Sequence, residues 1–469
     1  MSKKSSKNVI IENVLVQDYV AEGKSIAKID ELVVFIDNAV PGDIADLRIK
    51  RKKRNYAEAT AIKFHKYSEF RTDAFCEHFG TCGGCKWQNL NYNKQLYFKQ
   101  KQVVDTIERI GKVKGFEVLT IAQSPETKYY RNKLEYTFTN RRWFTNEEMH
   151  SENRNQNGLG FHMPGMFDRV LDIKNCYLQP EPSNSIRLAI RDFALNNNYT
   201  FYDPREHTGL LRNLIIRTTS ADETMLLFSF HKNDEDMINK ILNFTSDTFP
   251  EITSILYAIN PQVNDSLYNY NEIITFKGSS HIIEKLGDLK FRIGPKSFFQ
   301  TNTNQAYEMY KTILDFADLL GHEVVYDLYT GTGTIANFIA SKAKKVIGIE
   351  YVDEAVKDAV INSGLNSITN CSFISGDMKD ILTDETFKNY GQPDVIITDP
   401  PRAGMHGDVV DIIIRSNAKK LIYVSCNPAT QARDIELLSS KYKLIKIQPF
   451  DMFPHTHHVE NIAYLEVIS

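Results

Sequence analysis

A cysteine directly follows an apolar, β-prone stretch near the C-terminus. In KKLIYVSCNPAT, residues 419–430, the run 421–424 favours a strand, and Asn427-Pro428 ends it at once. The carboxyl end of a strand in an open α/β sheet is where ligands bind. A structural cysteine is expected inside a strand or a helix, so Cys426 is a candidate nucleophile. Spacing alone leaves a bland buried thiol as an equal alternative.

A glycine-containing loop follows an earlier strand of the same kind. In DLYTGTGTIA, residues 327–336, Gly331 and Gly333 let the backbone approach a ligand at a helix start. The loop fits the pattern G-x-G-x-x-A, and Glu350 closes the next strand at the spacing of a ribose-binding acid. The pattern is compatible with a dinucleotide and equally with S-adenosylmethionine (SAM).

Three further features favour SAM. Asp327 precedes the glycines, where its carboxylate can hold an ammonium group, and Gly376-Asp377 ends the third strand in position to contact an adenine. Asp399, in the stretch DPPRAG, ends the fourth strand beside Cys426. Each of these residues alone is equally well explained as a turn residue or a helix cap. All of them at carboxyl ends of strands in one sheet indicate a ligand site.

The bulk composition is that of a soluble multidomain protein. With 469 residues, 42% hydrophobic and 25% charged, the chain has room for about two to four domains. No apolar run approaches the roughly 18 to 20 residues that cross a bilayer. The basic start MSKKSSKN is followed by Glu12 and Asp18 rather than by an apolar signal core, and six cysteines are too sparse for a disulfide scaffold. We therefore expect a cytoplasmic protein.

The net charge of −3 conceals an asymmetry along the chain. Through Lys66 there are 13 Lys and Arg against 9 Asp and Glu, so this segment carries +4 and the remainder −7. The excess concentrates in the run KRKKR, residues 50–54. Such a run is usually a solvated face, and the sharper interpretation is contact with the phosphates of a nucleic acid.

The pattern along the chain predicts a multidomain α/β protein in three parts. Five short strands with turn signals suggest a small barrel of the oligonucleotide-binding kind, at 9–20, 24–30, 31–37, 42–54 and 56–64. The basic run falls on the hairpin between the last two. Residues 128 to about 290 mix strands and helices. From about 321, strands and helices alternate regularly, which predicts a doubly wound sheet whose last two strands form an antiparallel edge.

The expected domain boundaries follow from these changes of pattern. The barrel occupies residues 1–68, a cysteine-bearing loop and a mixed α+β central domain occupy 69–290, and the Rossmann-like domain occupies 291–469. A helix is predicted at 93–112, with an apolar stripe that we expect to pack on the C-terminal domain.

The sequence resembles the SAM-dependent RNA uracil-5-methyltransferases, and in particular the 23S ribosomal RNA enzymes that carry an iron–sulfur cluster. The resemblance covers nearly the whole chain. It rests on Cys76-x5-Cys82-Gly-Gly-Cys85, Tyr130-Arg131-Asn132-Lys133, Gly294-Pro-x-Ser297-Phe298-Phe299-Gln300-x-Asn302, DLYTGTGT, DPPRAG, VSCNPAT and His458-Val-Glu460. The N-terminal barrel is similar to a TRAM domain, an RNA-binding module.

The resemblance implies a catalytic role for Cys426. Uracil C5 is too weak a nucleophile to take a methyl group unaided, and a thiolate that adds to C6 makes C5 enolate-like. By resemblance Cys426 is that nucleophile, and Glu460 is the base that removes the C5 proton before the cysteine leaves. Without the resemblance, Glu460 reads as a surface carboxylate before the final strand. The neighbouring His455, His457 and His458 are interpreted as loop or RNA-facing residues.

The resemblance also implies the cofactor-binding residues. They are Gln300, Tyr329, Thr334, Glu350, Asp377 and Asp399. Asp399 has a second interpretation, as a residue that orients the uracil. Tyr329-Thr330 departs from the Phe-Cys of many relatives, but the tyrosine still offers an aromatic ring.

Four cysteines stand apart from this site. The resemblance implies that Cys76, Cys82, Cys85 and Cys176 ligate a [4Fe-4S] cluster with a structural role. From spacing alone, zinc is the first choice, because four thiolates suit a closed tetrahedral site. Cys371 begins a strand and is interpreted as an inert core thiol.

Together these observations predict an enzyme that makes 5-methyluridine in 23S ribosomal RNA. We expect a monomer without an obligate protein partner or membrane contact. The target base is expected to flip into the pocket, with Arg131 and Arg212 as candidates to stabilise the opened RNA. The alternatives are a transfer RNA substrate, a SAM-binding assembly factor without catalysis, and an NAD-dependent oxidoreductase.

Overall fold

The N-terminal part forms one mostly antiparallel sheet that curls into a small barrel. The computed structural model describes residues 9–145, 148–150, 155–264 and 266–468. Residues 1–8 of the predicted barrel domain and residue 469 of the predicted Rossmann-like domain therefore lie outside the described residues. The strands are β1 (Ile10–Leu15), β2 (Asp18–Tyr19), β3 (Ser25–Ile29), β4 (Leu32–Asp37), β5 (Ile44–Lys52) and β6 (Tyr56–Lys66), in the order β1-β5-β6-β4-β3-β2.

Alternation of small apolar and polar residues explains how β6 fits this barrel. Ala57, Ala59 and Ala61 are buried while the residues between them face outward, as expected for a half-buried strand. The predicted first strand is divided in two, because β1 pairs with β5 whereas β2 pairs with β3. The basic run covers the exposed end of β5 and the first residues of the turn to β6.

Helix α1 (Tyr92–Arg109) packs on the C-terminal domain. Asn91 caps it by accepting the Lys94 N–H, and Val103 and Ile107 enter the same apolar core as the C-terminal sheet. The predicted helix ran to residue 112. The observed helix is followed by Gly111, whose backbone approaches a C-terminal helix, α10 (Pro428–Leu438), so closely that a Cβ would lie 3.1 Å from the Ala432 carbonyl oxygen. A short strand, β7 (Glu117–Val118), comes next.

The central domain is an eight-stranded sheet with two helices. Its sheet order is β15-β14-β13-β12-β8-β10-β11-β9, and a separate hairpin, β16–β17, leads out of it. The elements are β8 (Lys133–Thr139), β9 (Arg142–Trp143), β10 (Gly158–His162), β11 (Val170–Asp172), α2 (Ser183–Asn196), β12 (Leu211–Thr218), β13 (Thr224–Phe230), α3 (Glu235–Thr248), β14 (Ser254–Ile259), β15 (Ile274–Gly278), β16 (Ile282–Leu286) and β17 (Leu289–Ile293).

The C-terminal domain is the predicted doubly wound sheet. Its order is β20-β19-β18-β21-β22-β24-β23-β7, with β18 to β22 parallel and β24 inserted antiparallel between β22 and β23. The elements are α4 (Thr303–Ala317), β18 (Val324–Leu328), α5 (Thr334–Ile339), β19 (Lys345–Glu350), α6 (Asp353–Leu365), β20 (Cys371–Ser375), α7 (Met378–Ile381), α8 (Asp384–Tyr390), β21 (Val395–Thr398), α9 (Gly407–Ser416), β22 (Lys420–Ser425), α10 (Pro428–Leu438), β23 (Tyr442–Phe450) and β24 (Glu460–Val467).

One detail of this sheet differs from the prediction. The outermost strand is β7 rather than β23, because Glu117 and Val118 pair in parallel with Lys446 and Ile447. A two-residue strand from a distant part of the chain carries no periodic signal, so the sequence could not reveal it.

The barrel, the cysteine loop and the C-terminal domain meet at the loop between β23 and β24, residues 451–459. The Trp87 indole N–H donates to the Gly23 carbonyl over 3.4 Å, and the Lys86 ammonium donates to the Glu22 carbonyl over 3.1 Å. Gly23 in turn lies against His457, so closely that a Cβ would be 2.8 Å from the histidine Cβ. The barrel therefore rests on the segment that leads into β24.

In the part of the chain that the structure describes, no helix has the length and apolar character needed to span a membrane.

Candidate active site

The candidate residues gather at one edge of the C-terminal sheet. Asp327 lies near the end of β18, Glu350 ends β19, and Asp399 and Cys426 each lie at or just beyond the end of a parallel strand. Glu460 begins β24, which runs antiparallel to β22, so its first residue lies at the same edge. The strand order reverses between β18 and β21, and a cleft forms at such a switch point.

The glycine loop after β18 is held by the acid that ends β19. The Glu350 carboxylate accepts the Gly331 N–H over 3.0 Å and the Val352 N–H over 3.0 Å. Gly333 has a positive φ of 76°, and a Cβ there would lie 2.9 Å from the Ala359 Cβ. Tyr329 also has a positive φ, 62°, a conformation that is costly for a residue with a side chain. The backbone therefore leaves no room for a larger residue at position 333.

Asp327 is a buried carboxylate with an unused oxygen. Its Oδ2 accepts the Thr330 hydroxyl and, over 3.1 Å, the Ala336 N–H, while Oδ1 has no hydrogen-bond partner in the structure. Burial raises the pKa of Asp327 to about 7. A buried carboxylate of this kind is stabilised by a cation, and an ammonium group brings both the charge and the missing donor.

The other end of the cleft holds a thiol between two carboxyl groups. Burial, followed by the charges of Glu460 and Asp399, raises the pKa of Cys426 to about 11, and the Arg402 guanidinium opposes this shift. Burial, and then Asp399, raises the pKa of Glu460 well above its usual range. Asp399 keeps some accessible surface, but its depth in the cleft raises its pKa to about 7, with Asp327 adding to the effect.

This arrangement can move protons and present a nucleophile. Cys426 is half-buried at the cleft, and Glu460 is only 5% exposed. Carboxyl groups with raised pKa values exchange protons near neutral pH, which suits general acid–base chemistry. The sequence did not identify Arg402, in the stretch DPPRAG, as a residue of this site. Its position just past the end of β21 could have indicated that it lies at the same edge of the sheet.

The remaining predicted cofactor residues lie at the starts of three helices of the C-terminal domain or just before them. Gln300 is buried beside Phe299 and precedes α4. Thr334 begins α5 and shares a 3.1 Å hydrogen bond with the buried Tyr310 hydroxyl. Asp377 caps α7, accepting the Lys379 N–H over 3.2 Å, so the cap interpretation of this residue holds in the structure.

Four cysteines line a single cavity away from the cleft. Cys76, Cys82 and Cys85 come from the loop before α1, and Cys176 precedes α2, where its N–H donates to the Asn184 side chain over 2.9 Å. Burial raises the pKa of Cys82 to about 11 and that of Cys85 to about 12. Among the described residues, no group of three or more His, Cys, Asp or Glu side chains is found that could hold a metal ion.

Cys371 lies elsewhere. It begins β20, packs against the core of the C-terminal domain, and places its Sγ 3.6 Å from the Ala336 carbonyl oxygen. This is the environment expected of a core thiol.

The interpretation of Arg212 as an RNA-contacting residue is wrong. Arg212 is 1% exposed and donates to the carbonyls of Asn260 and Gln262, so it braces the domain and is not available to RNA. His455 is a loop residue, one of its two interpretations, and it is buried and hydrogen-bonded. Arg131 is half-buried, with its guanidinium 5.2 Å from the Phe453 ring centroid.

Two family models match this chain. A model described as tRNA (Uracil-5-)-methyltransferase matches residues 280–468, and a TRAM domain model matches residues 7–62. The chain is 54% identical over 452 residues to a protein of Bacteroides thetaiotaomicron named an uncharacterized RNA methyltransferase, covering 95% of this chain and 99% of that one. A Porphyromonas gingivalis protein of the same description is 48% identical, covering 96% and 98%.

One solved structure is similar over almost the full length. It is the Pyrococcus abyssi tRNA (uracil-54, C5)-methyltransferase in complex with S-adenosyl-L-homocysteine, with a TM-score of 0.75 and 26% sequence identity. The similarity covers 97% of this chain and 100% of that one.

Proposed function

Since this chain belongs to the TRAM-containing RNA uracil-5-methyltransferases, we propose that it methylates C5 of a specific uridine in 23S ribosomal RNA through a covalent cysteine adduct. The family membership makes it a SAM-dependent RNA methyltransferase and confirms the predicted resemblance. We therefore assign the glycine loop to a SAM site rather than to a dinucleotide site. Beyond the family membership, we propose the ribosomal substrate, the covalent adduct and the role of each residue.

The observation that carries the proposal is the meeting of Cys426, Asp399 and Glu460 at one edge of the sheet. These residues come from three strands, and the charges of both carboxyl groups act on the thiol. A thiol and a buried carboxyl group are the two functions that the covalent route needs. The first adds to C6, and the second takes the proton from C5.

We assign the bond changes as follows. Cys426 Sγ forms a bond to uracil C6, which turns C5 into a nucleophile that takes the methyl group from the sulfonium of SAM. S-adenosylhomocysteine leaves with the electron pair of the broken carbon–sulfur bond. Glu460 then removes the proton from C5. The electron pair of that C–H bond restores the C5–C6 double bond and expels the Cys426 thiolate.

The raised pKa values bear on how these groups start the reaction. Because the thiol of Cys426 has a pKa of about 11, it is protonated near neutral pH and must lose its proton before attack. Asp399, with a pKa of about 7, is partly ionised there, and we assign it as the acceptor of that proton. Glu460 needs a lower pKa in the working complex than in the empty cleft. The Arg402 guanidinium is the charge that lowers it, because the sulfonium is already a neutral thioether when Glu460 acts.

The cofactor set is proposed from the same cleft. The unpartnered Asp327 oxygen suits the ammonium group of SAM, and Glu350 suits its ribose hydroxyls. The further residues proposed for this site are Gln300, Tyr329, Thr334, Asp377 and Asp399. When bound, SAM supplies an electrophilic methyl group.

We also propose that the four cysteines ligate a [4Fe-4S] cluster. They line one cavity. The resemblance to the iron–sulfur enzymes of the family favours a cluster over a single zinc. The chemistry of four thiolates fits either occupant, and the residues that would hold it are Cys76, Cys82, Cys85 and Cys176.

The second candidate substrate is transfer RNA. The similar Pyrococcus abyssi structure is that of a tRNA (uracil-54, C5)-methyltransferase, and this observation favours the alternative. The TRAM domain and the exposed basic turn at residues 50–54 are suited to either RNA, because phosphate contacts carry little sequence information. Mapping 5-methyluridine in ribosomal and transfer RNA from a deletion strain distinguishes the two.

The catalytic proposal is tested by what two variants accumulate. Cys426→Ala removes the atom that activates C5, so neither methylated RNA nor a covalent adduct should form. Glu460→Gln keeps the thiol but cannot accept the C5 proton, so methylated RNA should stay attached to the protein as a denaturation-resistant, slow-migrating band. Methylation by Cys426→Ala would overturn the covalent route. Normal turnover by Glu460→Gln would move the base to another residue, with Asp399 the next candidate.

A further inference from the structure

The loop between β23 and β24, residues 451–459, is held by helix α1. The Lys99 ammonium lies 2.5 Å from Asp451 Oδ1 and donates to the Phe453 carbonyl over 3.0 Å. Both charged side chains are fully buried. A buried ion pair fixes the two segments that carry it, because either charge left alone there would be strongly unfavourable.

One turn earlier on α1, Gln95 holds His455 by two groups. Its Oε1 accepts the His455 N–H over 2.9 Å, and its Nε2 lies 3.2 Å from the imidazole Nδ1. Gln95 is fully buried, and its Nε2 also bonds the carbonyls of Trp87 and Leu90. The amide therefore ties the loop to α1 and to the end of the cysteine loop at the same time.

The end of the cysteine loop grips the same histidine from its other side. The backbone N–H groups of Lys86 and Trp87 both donate to the His455 carbonyl, over 2.9 and 3.0 Å. The ring of Phe75, next to Cys76, packs edge-on against the imidazole at 5.0 Å between centroids. The N–H, the carbonyl and one ring nitrogen of His455 are thus all engaged by other segments.

His455 has an unusual backbone. Its φ of +64° places a non-glycine residue in the left-handed region, where the Cβ is crowded. Such conformations persist only where the surroundings over-determine them, and they gather at functional sites. Here the surroundings are Gln95 and the two N–H groups, and the strained residue stands five positions before Glu460.

We propose that Gln95 is a positioning residue for the Glu460 step. By holding His455 in its left-handed conformation, Gln95 fixes the course of the loop backbone and therefore the position of Glu460 at the start of β24. Pairing with Phe450 restrains Glu460 from the β23 side, and the loop restrains it from the other. The inference rests on the proposed role of Glu460. It also implies that the end of the cysteine loop, which binds the His455 carbonyl, helps to position Glu460.

The test uses the full chain with its RNA substrate and SAM. Gln95→Leu keeps the bulk of the side chain and removes both bonds to His455. We expect release of methylated RNA to slow by about tenfold or more, because a small misplacement of a reacting group costs up to about 10²-fold. Adduct should accumulate, as in Glu460→Gln, while adduct formation and S-adenosylhomocysteine affinity change by less than about threefold.

Two further variants separate positioning from stability. Val103→Ala leaves a cavity beneath the same helix without touching the loop, so it should lower the melting temperature without accumulating adduct. Gln95→Glu keeps an acceptor for the His455 N–H, so its adduct fraction should lie between wild type and Gln95→Leu. It also carries the test if the leucine variant does not fold.

The outcomes distinguish this inference from the proposed function. Equal slowing of adduct formation and release in the Gln95 variants, or loss of stability alone as in Val103→Ala, would overturn the inference. If Glu460→Gln accumulates adduct and the Gln95 variants do not, only the positioning role fails. If Glu460→Gln turns over normally, the proposed base itself is wrong.

Discussion

The cleft and the cysteine cavity gather their reactive side chains in different ways. The cleft takes one residue from each of several neighbouring strands, and all of them stand at strand ends. The cavity takes three residues from one irregular loop and a fourth from the turn before α2. Regular alternation converts position in the sequence into position in space, whereas a loop acquires its partner only through tertiary contact.

The two regions are alike in their electrostatics. In each, burial raises the pKa of ionisable groups and so favours their protonated forms, namely the carboxyl groups of Asp327 and Asp399 and the thiols of Cys82 and Cys85. Burial opposes their charged forms until a positive ligand is present. The difference lies in the ligand: one region is suited to a soluble cation that comes and goes, the other to a resident group.

The largest expected effect is on ligand binding in the cleft, with the cysteine cavity unchanged. Asp327→Asn should raise the dissociation constant for S-adenosylhomocysteine by about 30-fold or more, because losing one partner of a buried charge pair costs on the order of 2–5 kcal/mol. Titration calorimetry measures it. Cys82→Ser, in the other region, should leave this constant within about threefold. Equal affinity of Asp327→Asn and wild type would remove that carboxylate from the cofactor site.

The next effect is loss of the proposed cluster from the cysteine cavity, with the cleft unchanged. Protein purified without oxygen should be brown and contain iron and sulfide at about four per chain. Cys82→Ser should lose this colour together with thermal stability and RNA affinity, while Cys371→Ser, a change outside the cavity, should keep all three. Metal analysis, visible absorption and an RNA binding titration measure these outcomes. Stoichiometric zinc without iron would reverse the assignment of the occupant.

The smallest effect is the pH dependence of stability in the ligand-free cleft. The pKa of Asp327 is about 7 in the folded protein and 3.8 in its unperturbed state, so folding retains a proton. Its contribution to stability is complete below pH 4 and is lost as the pH rises to about 7. Asp327→Asn should therefore gain stability relative to wild type over this range, by on the order of 1–4 kcal/mol.

Denaturant unfolding of both proteins at pH 5 and pH 8 measures this difference. Saturating S-adenosylhomocysteine should stabilise wild type more at the higher pH, because its ammonium group then meets an ionised carboxylate. A stability difference that does not change with pH would mean that Asp327 is ionised throughout.

Much of the C-terminal domain could be predicted from the sequence. Its strands lie where the apolar runs placed them, and Asp327, Glu350, Asp399 and Cys426 are at one edge because parallel strands share a direction. The N-terminal barrel was also predictable, since short alternating strands between turn residues mark a small barrel, whereas its identification as a TRAM domain depended on the family resemblance. The β7 edge and the split of the first strand were not, because pairing between distant segments leaves no local pattern.

The residues by themselves determined which groups could do chemistry and on which strand each one stands. Only the tertiary structure decided that Glu460 is buried, that Arg212 is a brace, and that Gln95 and His455 meet across 360 positions of the chain. The reason is physical: strand order follows from alternation and chain direction, which are local. Burial and the contacts of polar side chains depend on which surfaces the folded domains bring together, and no spacing in the sequence encodes that.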